Sequence, residues 1–111
     1  MNEAATSPQI TPRGLEFADR LEHLLQLPLD HPEHVEPWDL ACGELSDWID
    51  AHFTELPLGV PHHLYHYFSD ADIRAKEPGY RTNQESDVRL FIRQLRGEPP
   101  PQRKRAWWRF W

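Results

Sequence analysis

The sequence is short of the features that staple or anchor a chain. Cys42 is its one cysteine in 111 residues, which excludes an internal disulfide and fits a reducing compartment. No window of 18 apolar residues exists, so no helical membrane span is expected. Residues 1–9 have neither a cationic start nor an apolar stretch, so a secretory signal is not expected and the cytoplasm is the expected location. There is no glycine-rich phosphate loop, nucleophile elbow or His-Glu-x-x-His pattern. Catalysis therefore has no positive support, and the expectation is a protein that is not an enzyme and needs no cofactor. Bases are scarce in one half: residues 1–60 hold two Arg against twelve Asp and Glu, a net of −10 in a chain of −6. That field repels phosphate, which argues against nucleic acid as a partner.

What is present is aromatic area, proline and helical periodicity. A chain of this length is one domain with one modest core. Five Trp, five Phe and three Tyr supply large buried areas to a composition that is only 39% hydrophobic. Residues 1–10 read as a loose arm, residues 11–97 as the domain, and residues 98–111 as a Pro-rich spacer with a basic aromatic tail.

Thr11-Pro12 has the grammar of an N-cap followed by proline at the first helical position. Phe17, Leu21, Leu24 and Pro28 then recur at three and four residues, with Ala18 and Leu25 beside them. This predicts a helix from about Pro12 to Gln26 whose outer face holds Glu16, Asp19, Arg20, Glu22 and His23. Leu27–Glu36 has two prolines and no period and reads as a loop. From Pro37, the residues Trp38, Ala41, Cys42, Leu45, Trp48, Ile49, His52, Phe53 and Leu56 predict a second helix of five turns. Residues 57–61 form a connector.

For residues 61–75 two readings compete. Leu64, Tyr67, Phe68 and Ala71 fit a helix with Pro61 at its first position, while the aromatic run Leu64–Phe68 also suits a strand; helix is favoured, and residues 69–76 could restart it on a Ser69 or Asp70 cap. Residues 76–80 carry Pro-Gly and read as a turn. Thr82 and Glu85 match a capping box ahead of Val88, Phe91, Ile92 and Leu95, with Arg89, Arg93 and Arg96 outside and Gly97 past the end. Together these predict an all-α fold, a small antiparallel bundle of about four helices.

Four features invite a functional reading. The acidic outer surface of the first two helices, including Asp39, Glu44, Asp47 and Asp50, would steer a basic protein partner; it also serves solubility. The tail residues Arg103, Lys104, Arg105, Trp107, Trp108, Arg109, Phe110 and Trp111 combine charge with the side chains that dominate interface hot spots. A partner's pockets or the chain's own acidic helices would cover them. A membrane contact through this tail is weak at most, because each base contributes only about 1 kcal/mol and the acidic half opposes it. Histidines supply the third feature. His62, His66 and Asp70 fall in a row at four-residue spacing, which could present three ligands to a divalent metal, and His31 and His34 form a second pair. Neither matches a defined metal signature, and ordinary surface histidines are favoured over metal ligands or a pH sensor. Finally, Cys42 as a nucleophile with His52 as its base fails on distance, since ten residues of helix rise about 15 Å; a buried small hydrophobe fits Cys42 better. The expected function is protein–protein recognition, with a weakly membrane-associated protein or a His-based metal binder as the alternatives.

Overall fold

The computed structural model describes residues 10–99, and among these every regular element is helical. Five α-helices run in order: α1 Pro12–Gln26, α2 Val35–His52, α3 His62–Ser69, α4 Ala71–Lys76 and α5 Pro78–Leu95. Short 3-10 turns, Pro32–His34 and Phe53–Glu55, flank α2 on either side.

The start of α1 follows the expected chemistry. Thr11 is extended, its hydroxyl accepts from the Gly14 amide at 3.0 Å, and Pro12 holds the first position. Gly14 lies buried against the next connector, and a methyl group there would meet the Pro57 ring at 2.9 Å. Phe17, Ala18, Leu21 and Leu24 are buried as the stripe predicts. Pro28, counted in that stripe, is exposed, and Leu29 takes the core position instead. The loop after α1 therefore contributes a core side chain that carries no periodic signal.

Helix α2 begins at Val35, with Pro37 inside its first turn rather than at its start. Proline is tolerated there because first-turn amides have no intrahelical acceptor. Trp38, Cys42, Leu45, Trp48 and Ile49 form the buried stripe. At Phe53 the helix tightens into the 3-10 turn, and the Phe53 ring stands half out in solvent. Leu56 is buried beyond it.

Pro61 is the extended N-cap of α3 rather than its first residue, and residues 62–76 form two helices and no strand. The chain breaks at Asp70 (φ −105°, ψ 24°), so five helices replace the expected four. The turn expected over residues 76–80 is also corrected. Glu77 is extended, Pro78 opens α5, and Gly79 and Tyr80 lie in its first turn. Pro78 fixes a helical φ in the first turn, where its missing N–H costs nothing. Thr82 is thus inside the helix and no capping box forms. Glu85 instead pairs with Arg81 at 3.1 Å and Arg89 at 3.7 Å, one turn either side.

At its other end α5 closes as expected on Gly97, whose φ is +72°. The Gly97 amide donates to Gln94 O at 3.1 Å and the Glu98 amide to Arg93 O at 2.8 Å, the paired bonds of a Schellman cap. Helix α1 packs most extensively on α5, where Phe17 meets Phe91 edge-on at 5.8 Å. Helix α2 touches α1 and α4, and α3 and α4 both pack on α5. One core links all five helices.

Candidate functional site

Three groups of side chains stand out once the core is set aside: the outer face of α2, a buried arginine between α2, α3 and α5, and a histidine pair on α3.

Helix α2 carries five acids, Glu36, Asp39, Glu44, Asp47 and Asp50, and no Lys or Arg. All five are exposed. At roughly 100° per residue, Asp47 falls opposite the stripe of Trp38, Cys42 and Leu45. The remaining acids flank it, with Leu40 among them, 69% exposed. None of the five has a basic side chain within ion-pair distance among the described residues.

The acids of α1 are arranged differently. Glu16 accepts from Arg13 at 2.7 Å, Arg20 at 3.0 Å and the Trp48 indole N–H at 3.1 Å, and the Arg20 hydrogen bond chiefly holds its carboxyl below the usual range. Arg13 also reaches Glu55 at 2.8 Å. Asp19 and Glu22, expected to face solvent alone, share Arg96 of α5 at 2.9 and 2.6 Å. The negative half of the sequence is therefore not one uniform field. Its α1 portion is cross-linked to arginines, and among the described residues the uncompensated charge is concentrated on α2.

That concentration is unfavourable for the free protein. Glu44 and Asp47, and Asp47 and Asp50, are like-charged neighbours at i,i+3. Asp50 also sits in the last turn, where the helix dipole disfavours anions. Beside the face, a groove of about 360 Å³ runs between α1 and α2, floored by Leu24 and Leu45 and edged by Asp19 and Glu44.

The second group was not foreseen. Arg74 of α4 is only 1% exposed. Its guanidinium lies 4.2 Å from the centre of the Tyr67 ring and 4.7 Å from that of Trp38, and those two rings meet edge-on. One Nη donates to the Tyr67 carbonyl and, at 2.7 Å, to Gln84 Oε1. The Gln84 amide passes the connection to Asp70 at 3.0 Å, and Asp70 also accepts from the Tyr80 hydroxyl at 2.6 Å. The Tyr80 bond is the chief reason the Asp70 carboxyl sits below its ordinary value. This network ties the Asp70 break to the first turns of α5. A signal for Arg74 existed in the sequence: it lies three residues after Ala71 and seven after Tyr67, on the buried side of the stripe.

The third group departs from the predicted row of three. His62 and His66 do meet, with Nε2 atoms 3.1 Å apart. Asp70 does not join them, because its carboxylate is held by Tyr80 and Gln84. Among the described residues no group of three or more His, Cys, Asp or Glu is placed to hold a metal together. Cys42 is buried, and burial pushes its thiol up to about 11, with the Asp39 charge adding to the effect. His52 is engaged elsewhere, its Nδ1 donating to the Trp48 carbonyl at 2.9 Å.

The tail residues Arg103, Lys104, Arg105, Trp107, Trp108, Arg109, Phe110 and Trp111 lie outside the described residues. Among the described residues no helix is long and apolar enough to cross a membrane. Comparison with protein-family models, with curated proteins and with solved structures finds no match to this chain.

Proposed function

We propose that this chain is a small non-enzymatic binding protein, an antiparallel helical bundle that engages a basic protein partner through the outer face of α2. The observation that carries this reading is the contrast between the two acidic helices. The carboxylates of α1 are satisfied by Arg13, Arg20 and Arg96, whereas Asp39, Glu44, Asp47 and Asp50 stand exposed and without counterions among the described residues. Like charges held on one face cost the free protein stability. A basic partner reverses the sign of that cost and is drawn in faster by the same field. Leu40 supplies an apolar contact inside the ring of charge, where a partner's side chain would exclude water. The Arg103–Trp111 segment adds aromatic and cationic anchors of the hot-spot type to the same binding role.

The test compares the full chain with a variant carrying Asp39→Asn, Glu44→Gln, Asp47→Asn and Asp50→Asn, each immobilised and challenged with proteins of its own cell at low and high salt. The reading requires capture of basic proteins by the natural chain, weakening with salt, and loss of that capture in the variant. Equal capture by both chains at every salt concentration overturns it.

A further inference from the structure

We propose that His62 and His66 chelate a divalent transition-metal ion through their two Nε2 atoms. Both residues are exposed on α3, one turn apart, and their Nε2 atoms lie 3.1 Å from each other. The rings stand nearly perpendicular, at 79°, with centroids 4.7 Å apart. With zinc–nitrogen bonds of about 2.0–2.1 Å, nitrogens at that separation subtend about 98° at the metal. This angle lies between the octahedral and tetrahedral values, so the spacing of the two nitrogens suits a chelate once each ring turns its lone pair from the other ring toward a shared ion.

The opposite face of the helix fixes the pair. Leu64 and Tyr67 are fully buried in the core, and Pro61 sets the entry into α3. The two ring nitrogens now share one hydrogen bond, which requires an N–H on one ring and a lone pair on the other. When a metal takes both lone pairs, the donating ring moves its proton from Nε2 to Nδ1 through solvent. Two neutral imidazoles therefore bind the ion with no net release of protons. The protein supplies two ligands and water completes the shell. Asp70, four residues beyond His66, adds a negative charge to the same end of α3 without ligating, because its carboxylate is held by Tyr80 and Gln84. A two-imidazole site selects metals that favour nitrogen, in the order copper above nickel and zinc, and discriminates against magnesium and calcium.

Titration calorimetry of the full, untagged chain with nickel, zinc and magnesium chlorides tests this proposal. The expected result is saturable binding of one nickel or zinc ion per chain and none of magnesium. His66→Asn, and His62→Asn separately, should weaken nickel binding by about tenfold or more, because even outer-shell changes cost 10–100-fold. A His31→Asn/His34→Asn chain should bind as the natural one does. Nickel should also raise the melting temperature of the natural chain and leave that of the His62→Asn/His66→Asn chain unchanged. His31, His62 and His66 are exposed and His34 is half-buried, and melting without metal verifies that each variant folds. Failure of nickel and zinc to saturate, or an unchanged affinity in the His62→Asn/His66→Asn chain, overturns the proposal.

Discussion

Replacing Arg74 offers the sharpest test of how the core is built. The guanidinium is 1% exposed and lies against two aromatic faces, with one Nη bonded to the Tyr67 carbonyl and Gln84. Each desolvated cation–π contact contributes about 2 kcal/mol, and each charged hydrogen bond about 1.5–3 kcal/mol. Against this stands the removal of the charge from water, several kcal/mol, with Nε and the other Nη having no partner among the described residues. The charge is therefore near balance against an apolar side chain, while the volume it fills is not. Arg74→Ala leaves a hole between Trp38, Tyr67 and Gln84 and should cost about 3 kcal/mol, the middle of the range for large buried truncations. For a domain of this size, that is a melting point lower by about 12–24 °C. Arg74→Met keeps the stem packing and removes the buried charge, and should stay within about 1 kcal/mol of the natural chain. Urea titrations followed by far-UV circular dichroism measure both. A loss below about 1 kcal/mol in Arg74→Ala, or equal losses in Ala and Met, would refute the view that Arg74 acts as core filling.

Three further outcomes follow from the same geometry. Asp70 is depressed below its ordinary carboxyl value of 3.8 by the Tyr80 hydroxyl, so the bond stabilises the fold above that pH and the benefit disappears as pH falls through the lowered value. Urea stability of the natural chain should exceed that of Tyr80→Phe at neutral pH, with the gap closing in strong acid; a gap that persists there contradicts the assignment. Neutralising Asp47 and Asp50 together should stabilise the free protein by about 0.3–1 kcal/mol in low salt, by relief of repulsion and of the dipole clash, and an unchanged or lower urea midpoint would show that the face is not strained by its charge. Cys42, buried with its thiol pushed up to about 11, should resist disulfide reagents at pH 8 until the chain unfolds; stoichiometric labelling of the native protein within minutes would contradict that burial.

Much of the core was legible because periodicity records burial directly. Phe17, Leu21 and Leu24 on α1, the Trp38–Ile49 stripe on α2, and Val88, Phe91, Ile92 and Leu95 on α5 all lie where their spacing puts them. Errors arose where one residue type serves two structures. Pro78-Gly79 signals a turn, yet proline also opens helices, and the Tyr80–Asp70 bond and the Arg81–Glu85 pair select the helix. Thr82 and Glu85 have capping-box spacing, but a box requires a helix end, and the end lies at Glu77. Leu29 and Arg74 were missed because long-range packing decided their burial: one is a loop residue, the other a cation with aromatic partners seven and thirty-six residues away. At the site, charge counting located the acids of α1 and α2 correctly but could not distinguish them. The difference depends on Arg96, which reaches Asp19 and Glu22 from the far end of the described chain.

The most direct test of the binding face is site-specific photo-crosslinking in the cell of origin. A photoreactive side chain replaces Leu40, which stands 69% exposed among the α2 carboxylates, or, as a control, the exposed Gln94 on α5. The account predicts a discrete adduct with a basic protein from position 40, lost when Asp39, Glu44, Asp47 and Asp50 are neutralised, and no such adduct from position 94. Adducts from position 94 alone, or an adduct from position 40 that is indifferent to the four carboxylates, would contradict it.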